Sequence, residues 1–260
     1  MEENLIVLDY KENFAENFSV YAYGKILSKI SSNNCFYENN PKNREVFENK
    51  MKNFFLECNY ISTSRVQEIL RTKKSSNNKF LANIHSNIKN KKKYNGIVDL
   101  ERFNVEDIQY LDEKILNDFR FRDLSFIQSY DILDDIKTTN SIGLYFSQND
   151  IEQNNVDWDY INKAIARLNK YVKNPVLFIF SKIDVKNKIK FDIQTRLIDN
   201  LSMQEEFYFL TQTKHQIILN NSSYSFVFWS SVLNNKTYSI KVIKKTNKKQ
   251  NLNLQNWIEV

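Results

Sequence analysis

The sequence predicts an α/β protein in two halves, with a parallel sheet in the second. Three observations predict it. The chain has 260 residues, enough for two small α/β domains of roughly 130 residues each. Hydrophobic residues make up 42% and aromatic residues 14%, ample for a core in each half. From residue 141 onward, short β-rich apolar runs alternate with stretches at helical spacing, the pattern of a doubly wound unit. The expected halves are 1–136 and 137–260.

In the first half, Leu5–Leu8 (LIVL) reads as a short buried strand. Residues 18–30 follow as a helix, because Phe18, Tyr21, Ala22, Ile26 and Ile30 share a face. The run Ser31-Ser32-Asn33-Asn34 ends it. A polar insert over 38–44 leads to a second helical stretch over 46–58. Residues 75–93 are weakly patterned and receive no assignment. A further helix is expected over 105–121, with Ile108, Leu111, Ile115 and Phe119 on one face.

The second half is more regular. Residues 141–146 (SIGLYF) form a strand that stops at the polar bend Ser147-Gln148-Asn149-Asp150. Residues 160–172 form an amphipathic helix with Ile161, Ala164, Ile165, Leu168, Tyr171 and Val172 inward, and Asn174-Pro175 stops it. The run VLFIF at 176–180 is the kind buried on both faces of a parallel sheet, and Ser181 ends it. A helix around 203–211, a strand at 217–219, a helix after Ser225 and a last strand at 238–243 complete the pattern.

Composition excludes several function classes. With only Gly24, Gly96 and Gly143, neither a P-loop nor a G-x-G-x-x-G turn exists. The net charge of +6 is carried mostly by lysine, notably KNKKK at 89–93 and KKTNKK at 244–249. Such clusters suit nucleic acid or anionic lipid, or are solvated loops. No nucleic-acid motif stands beside either, so no nucleic-acid partner is expected, and a modest pull toward a membrane surface remains. Cys35 and Cys58 form no disulfide framework, and His85 and His215 lie far from them in sequence, so no metal site is expected. The start, MEENLIVLDYKEN, lacks a signal-peptide core. No apolar stretch approaches the ~20 residues needed to cross a bilayer. These features lead us to expect a cytoplasmic protein.

The most informative stretch is 215–231, HQIILNNSSYSFVFWSS: strand, hydroxyl-rich bend, helix. That order points backbone N–H groups and the hydroxyls of Ser222, Ser223 and Ser225 at one spot, where a helix dipole favours an anion. An ordinary capped helix has the same pattern. In a doubly wound sheet, ligands bind beyond the carboxyl ends of the strands. Three polar strand ends should therefore converge: Ser147 to Asp150, Ser181 to Asp184, and Asn220 to Ser225.

These residues resemble the bacterial α-1,2-fucosyltransferases, glycosyltransferase family 11. The family signature runs roughly H-N-I-I-A-N-S-S-F-S-W-W-A-A-W-L-N after an acidic residue and L-M-S-x-C-K. Here EEFYFLTQTKHQIILNNSSYSFVFWSSVLN keeps Lys214, His215, Ile217, Ile218, Asn221, Ser222, Ser223, Tyr224, Ser225, Trp229, Leu233 and Asn234 in order. NPVLFIFSKID is similar to the family's N-P-x-F-F-I-F-S-D-D, keeping Asn174, Pro175, Phe178, Phe180 and Ser181. GIVDLERFNVEDIQYLDEKILNDFRF resembles a family segment with G-Y-W-Q-S-E-K-Y-F, and ENFSVYAYGKILS sits where the family has G-N-Q-M-F-Q-Y-A-x-G-R-A-L.

The resemblance implies a GT-B-like arrangement, two Rossmann-like halves facing a cleft. The N-terminal half would face the acceptor and the C-terminal half would hold the nucleotide sugar. It implies inverting, metal-independent fucose transfer from GDP-fucose to a hydroxyl of a galactoside-type acceptor, an oligosaccharide or lipid-linked glycan, in surface glycan synthesis such as lipopolysaccharide. No cofactor beyond the donor is implied. Asn221, Ser222, Ser223, Ser225, Ser181, Lys182, His215 and Asn17 become donor-binding candidates, and Asp150 the catalytic candidate. Asp150 could equally order a ribose hydroxyl, orient the acceptor or cap a turn, and His215 could be structural.

The departures are specific. The family's H-x-R-R-G-D should fall at 145–150, where this chain reads YFSQND and keeps only Asp150. Its arginines clamp the donor diphosphate, and losing such a donor typically costs ~10²–10³ in rate. The family's G-N-Q is Ala15-Glu16-Asn17, and its paired aspartates are Lys182-Ile183. Lys182 is thus a candidate replacement clamp, and a degenerate, non-catalytic homologue binding a glycan or partner is the alternative.

Overall fold

A computed structural model describes residues 5–8, 11, 14–31, 34–38, 40–56, 58–72, 80–81, 96–99, 105–221, 224–234, 238–245 and 256–260. The chain divides into two compact units, Met1–Leu124 and Ser125–Val260. The division precedes the expected 136/137 boundary because the helix Tyr130–Thr138 packs on elements of the second unit and buries Leu133 and Ile136 there.

The first unit contains β1 (Leu5–Leu8), α1 (Phe14–Ser31), β2 (Asn34–Glu38), α2 (Pro41–Met51), β3 (Tyr60–Ile61), α3 (Thr63–Thr72), β4 (Phe80–Leu81), β5 (Gly96–Asp99) and α4 (Glu113–Asp118). Its sheet has the order β3-β2-β1-β5-β4 with every pair parallel. The expected face of α1 is the buried one: Phe18, Tyr21, Ala22 and Ile26 are all but inaccessible. Phe18 meets Phe54 and Phe119 edge-to-face, with ring centroids 4.9 and 5.0 Å apart.

Two expected helices are corrected here. The stretch placed at 46–58 is helical over Pro41–Met51. Asn40 Oδ1 accepts from the Lys42 N–H at 3.2 Å and Pro41 takes the first turn, so the polar insert is a helix start. The stretch placed at 105–121 breaks into a 3-10 turn, Val105–Tyr110, and α4. Asp112 divides them, its Oδ1 accepting from the Ile115 N–H at 2.9 Å and so capping a new helix.

The second unit contains α5 (Tyr130–Thr138), β6 (Asn140–Tyr145), α6 (Gln148–Glu152), α7 (Trp158–Tyr171), β7 (Pro175–Phe180), β8 (Gln194–Ile198), α8 (Met203–Gln212), β9 (His215–Ile218), α9 (Tyr224–Leu233), β10 (Lys241–Ile243) and β11 (Trp257–Glu259). The sheet order is β11-β10-β9-β6-β7-β8, again all parallel. The chain starts at central β6, winds outward through β7 to β8, then crosses back to add β9, β10 and β11. Ile142, Leu144, Leu177, Ile179, Ile217 and Val242 join Ile161, Ile165 and Leu168 of α7 in the core. On β6, a Cβ at Gly143 would lie 3.0 Å from Leu210 Cδ2 and Thr213 Oγ1, so the end of α8 packs closer than a side chain there allows.

Two strands escape the sequence pattern. β8 (QTRLI) is an edge strand with polar side chains outward, and β11 is three residues long. The last expected strand shortens to Lys241–Ile243, and Tyr238 is 89% exposed. Among the described residues, no helix is long and apolar enough to cross a membrane.

Candidate functional site

Parallel pairing puts the carboxyl ends of β9, β6 and β7 side by side on one sheet edge, about 4.8 Å apart from strand to strand. The winding reverses between β6 and β9, so their ends flank the switch point where doubly wound sheets bind ligands. The three polar strand ends do converge. Asp150, Ser181, Lys182, Asn221 and Ser225 all follow these strands at this edge, while Ser222 and Ser223 lie outside the described residues. Asn17 belongs to the other unit, and His215 begins β9 at the opposite edge of the sheet.

At the β6 tip, Ser147 caps α6. Its Oγ accepts from the Asp150 N–H at 3.2 Å and donates to Asp150 Oδ2 at 2.6 Å, with Asp150 1% exposed. At the β7 tip, Ser181 Oγ donates to the Ile183 carbonyl at 2.7 Å and accepts from the Ile183 N–H at 3.1 Å, fixing the turn that follows. Lys182 leans toward the exit of β8, its Nζ donating to the carbonyls of Asp199 at 2.8 Å and Leu201 at 3.0 Å. Beyond β9, the Asn221 carbonyl accepts from the Tyr224 N–H at 3.1 Å, which opens α9, and half-buried Ser225 sits in its first turn.

Sequence reasoning missed Glu206. It sits in the first turn of α8, 6% exposed, with Oε1 3.8 Å from Lys182 Nζ. Burial pushes its carboxyl up to about 7, against an opposing pull from Lys182. Burial, then the nearby Glu206 and Asp150, also holds the Tyr145 hydroxyl well above its ordinary value, so both carboxylates act on the β6 tip. Phe226 of α9 stacks on Tyr145 at 4.5 Å and Phe207 of α8 meets Phe226 edge-on at 5.2 Å, a cluster that positions Glu206. The acidic residue ahead of the resembling signature marks the pair Glu205-Glu206 in the sequence, but on its own a glutamate there reads as a first-turn dipole residue.

The remaining candidates have structural work. His215 Nδ1 accepts from the Ile240 N–H at 3.1 Å, so this nitrogen carries no proton, and the ring ties β9 to the entry of β10. Nearby, Lys241 Nζ donates to the Asn234 carbonyl at 2.7 Å and lies 6.0 Å from the Trp257 ring centroid. Burial pushes the Lys241 ammonium down to about 8. In the first unit, Asn17 is fully buried. Its Oδ1 accepts from the Lys11 N–H at 3.0 Å and its Nδ2 donates to the Lys11 carbonyl at 2.9 Å, which clamps the approach to α1.

A hollow of about 490 Å³ runs along the outer edge of β8, walled by Asp131, Asp135, Arg196, Asp199 and Asn200 among others. Arg196 and Asp135 pair across it at 3.3 Å. Among the described residues, no group of three or more His, Cys, Asp or Glu is arranged to hold a metal ion.

Residues 143–260 match the family model described as glycosyl transferase family 11, and the match covers β9, its hydroxyl-rich bend and α9. The C-terminal residues are thus similar to glycosyl transferase family 11. No curated protein matches the sequence. Among solved structures, the NodZ α-1,6-fucosyltransferase soaked with GDP-fucose is similar at a TM-score of 0.51 and 13% identity, over 89% of this chain and 93% of that one. A mutant of Arabidopsis thaliana FUT1 in complex with GDP aligns at a TM-score of 0.49 and 9% identity, over 95% of this chain and 71% of that one. The NodZ likeness shows the fold: two α/β halves shared with a fucosyltransferase.

Proposed function

We propose that this protein transfers fucose from GDP-fucose to a hydroxyl of a galactoside-type acceptor, with inversion and without a metal, in surface glycan synthesis. One observation carries this reading: the half that matches the glycosyl transferase family 11 model brings three polar strand ends to the switch point of its sheet. The NodZ crystal was soaked with GDP-fucose, and that donor suits an edge where a helix N-terminus, Lys182 and serine hydroxyls favour an anion. The hydroxyls of Ser222, Ser223 and Ser225 with Asn221 hold the diphosphate side, assisted by Lys182 and by the turn fixed by Ser181. His215 supports from behind through the strand, and Asn17 shapes the acceptor-side half. Asp150 is the catalytic candidate, its Oδ2 exchanging the Ser147 hydroxyl for the acceptor's and drawing off that proton as the hydroxyl displaces GDP. The acceptor is an oligosaccharide or lipid-linked glycan, and the lysine clusters favour the inner membrane face.

A second reading, a non-catalytic homologue that binds a glycan or partner, has its own support. Ser147 and Gln148 stand where the family has arginines, and both bond within their own helix: Ser147 to Asp150, and exposed Gln148 Nε2 to Glu152 at 2.7 Å. Neither replaces a cationic clamp. The decisive experiment measures thermal stabilisation by GDP and GDP-fucose, then transfer from GDP-fucose to galactosides. The proposal expects stabilisation by both nucleotides and a fucosylated product that Asp150→Asn loses. Binding without turnover in the wild type selects the second reading, and absence of binding refutes the first.

A further inference from the structure

Glu206 is a buried carboxylate at the tip of the C-terminal sheet, and among the described residues its one nearby cation is an exposed lysine. Its side chain is 8% exposed and that of Lys182 is 47%. Lys182 has three N–H bonds. Two are held by the Asp199 and Leu201 carbonyls, and Glu206 at 3.8 Å is beyond hydrogen-bond length. The ammonium is therefore fixed in place with one N–H open to an acceptor arriving from solvent.

The charged and titratable groups around Glu206 are few. Lys182 comes from the turn after β7, Tyr145 from the end of β6 with Asp150 beyond it, and Glu205 from its own helix. Glu205 is engaged elsewhere, its Oε1 accepting from the Gln128 N–H at 2.9 Å and its Oε2 from the Ser202 N–H at 3.1 Å. Among the described residues, Lys182 is the single group that favours a charged Glu206. An anion arriving at Lys182 opposes that charge twice, by claiming the ammonium and by placing like charge beside the carboxylate.

We infer that binding of a nucleoside diphosphate at this edge is coupled to proton uptake by Glu206, with Lys182 as the shared cation that passes from carboxylate to phosphate. The inference rests on the proposed donor site and adds a proton to its binding step. The balance is simple: one phosphate group gains the Lys182 N–H, and the Glu206 carboxylate gains a proton from solvent. Without nucleotide, Glu206 already titrates near neutrality. GDP affinity therefore weakens as pH rises above about 7, by up to tenfold per pH unit.

The test is titration calorimetry of the full chain with GDP at pH 7, in two buffers of different ionisation enthalpy. The expected result is uptake of roughly half a proton per GDP in the wild type, and none attributable to the protein in Glu206→Gln. The terminal phosphate's own titration is common to both proteins and cancels in their difference. Lys182→Ala is an independent arm. Without the ammonium, Glu206 is protonated before GDP arrives, so uptake falls there too. Equal uptake in the wild type and in both variants overturns the inference and leaves the donor site standing. No GDP binding by the wild type at any pH removes the donor site and the inference together. A thermal melt of each variant verifies folding, and if Glu206→Gln fails to fold, the Lys182→Ala comparison decides.

Discussion

The two edges of the C-terminal sheet carry similar polar residues put to different use. At the amino edge, every named polar group serves another part of the chain. Ser141 Oγ donates to the Ile136 carbonyl at 2.8 Å and accepts from the Lys214 N–H at 3.0 Å, and Asn234, Lys241 and His215 lace α9, β9 and β10 together. At the carboxyl edge, Ser147 and Ser181 also close local turns, but exposed Lys182 keeps an N–H facing solvent beside the buried Glu206. Each edge buries one ionisable group against its preference, Lys241 at one and Glu206 at the other. Polarity at a strand end therefore does not identify a site. The proposed site is assigned to the carboxyl edge because the winding reverses between β6 and β9.

The sharpest way to break this contrast is the pH dependence of stability. Glu206 binds its proton more tightly folded than unfolded, so it favours the fold below about 4.5 and loses that contribution as pH rises through about 7. Lys241 binds its proton less tightly when folded, so its burden is relieved as pH rises from about 8 toward 10.5. Each swing is on the order of 3 kcal/mol. Urea unfolding across pH should show Glu206→Gln flattening the acid-side slope and Lys241→Met the alkaline one. A single variant that flattens both disproves the separation.

A smaller effect is expected from Asn234→Ala. The Thr213 carbonyl is left buried without the Asn234 amide, for a loss of about 1–3 kcal/mol with unchanged GDP affinity in the folded protein. Weakened GDP binding there would mean that the amino edge reaches the site. The smallest effect is expected from Ser147→Ala, about 1 kcal/mol from the lost cap. That change should also alter nucleotide-dependent activity, because it frees the Asp150 carboxylate at the tip.

Much of the C-terminal half was legible because its strands are buried on both faces. SIGLYF and VLFIF allow no other reading, and their polar terminators sit where the ligand edge is. The first half was harder. Its helix at Pro41–Met51 carries few apolar residues, so its start looked like a loop, and Asp112 broke an apolar periodicity that continued across it. β8 escaped because an edge strand needs only one apolar side. Ser147, Ser181 and Asp150 were placed at strand ends by the sequence, and they follow β6 and β7 in the fold. Glu206 was not singled out, because its meaning comes from Lys182, which precedes it by a strand and a loop. His215, a motif residue open to either role in the sequence, lies by register level with Ile142 rather than at the tip.

The strand order also has a consequence for synthesis. β6 gains β7 soon after it is made, but its other neighbour, β9, is paired only when residues 215–218 have emerged. Until then a bare apolar border, Ser141 to Tyr145, is open to other nascent chains, and distant parallel pairing closes slowly. In the finished molecule, the flank at β8 is instead guarded by Arg196, half exposed and paired with Asp135. Aggregation losses should therefore arise during translation and respond to chaperones or slowed growth, while the purified protein stays dispersed.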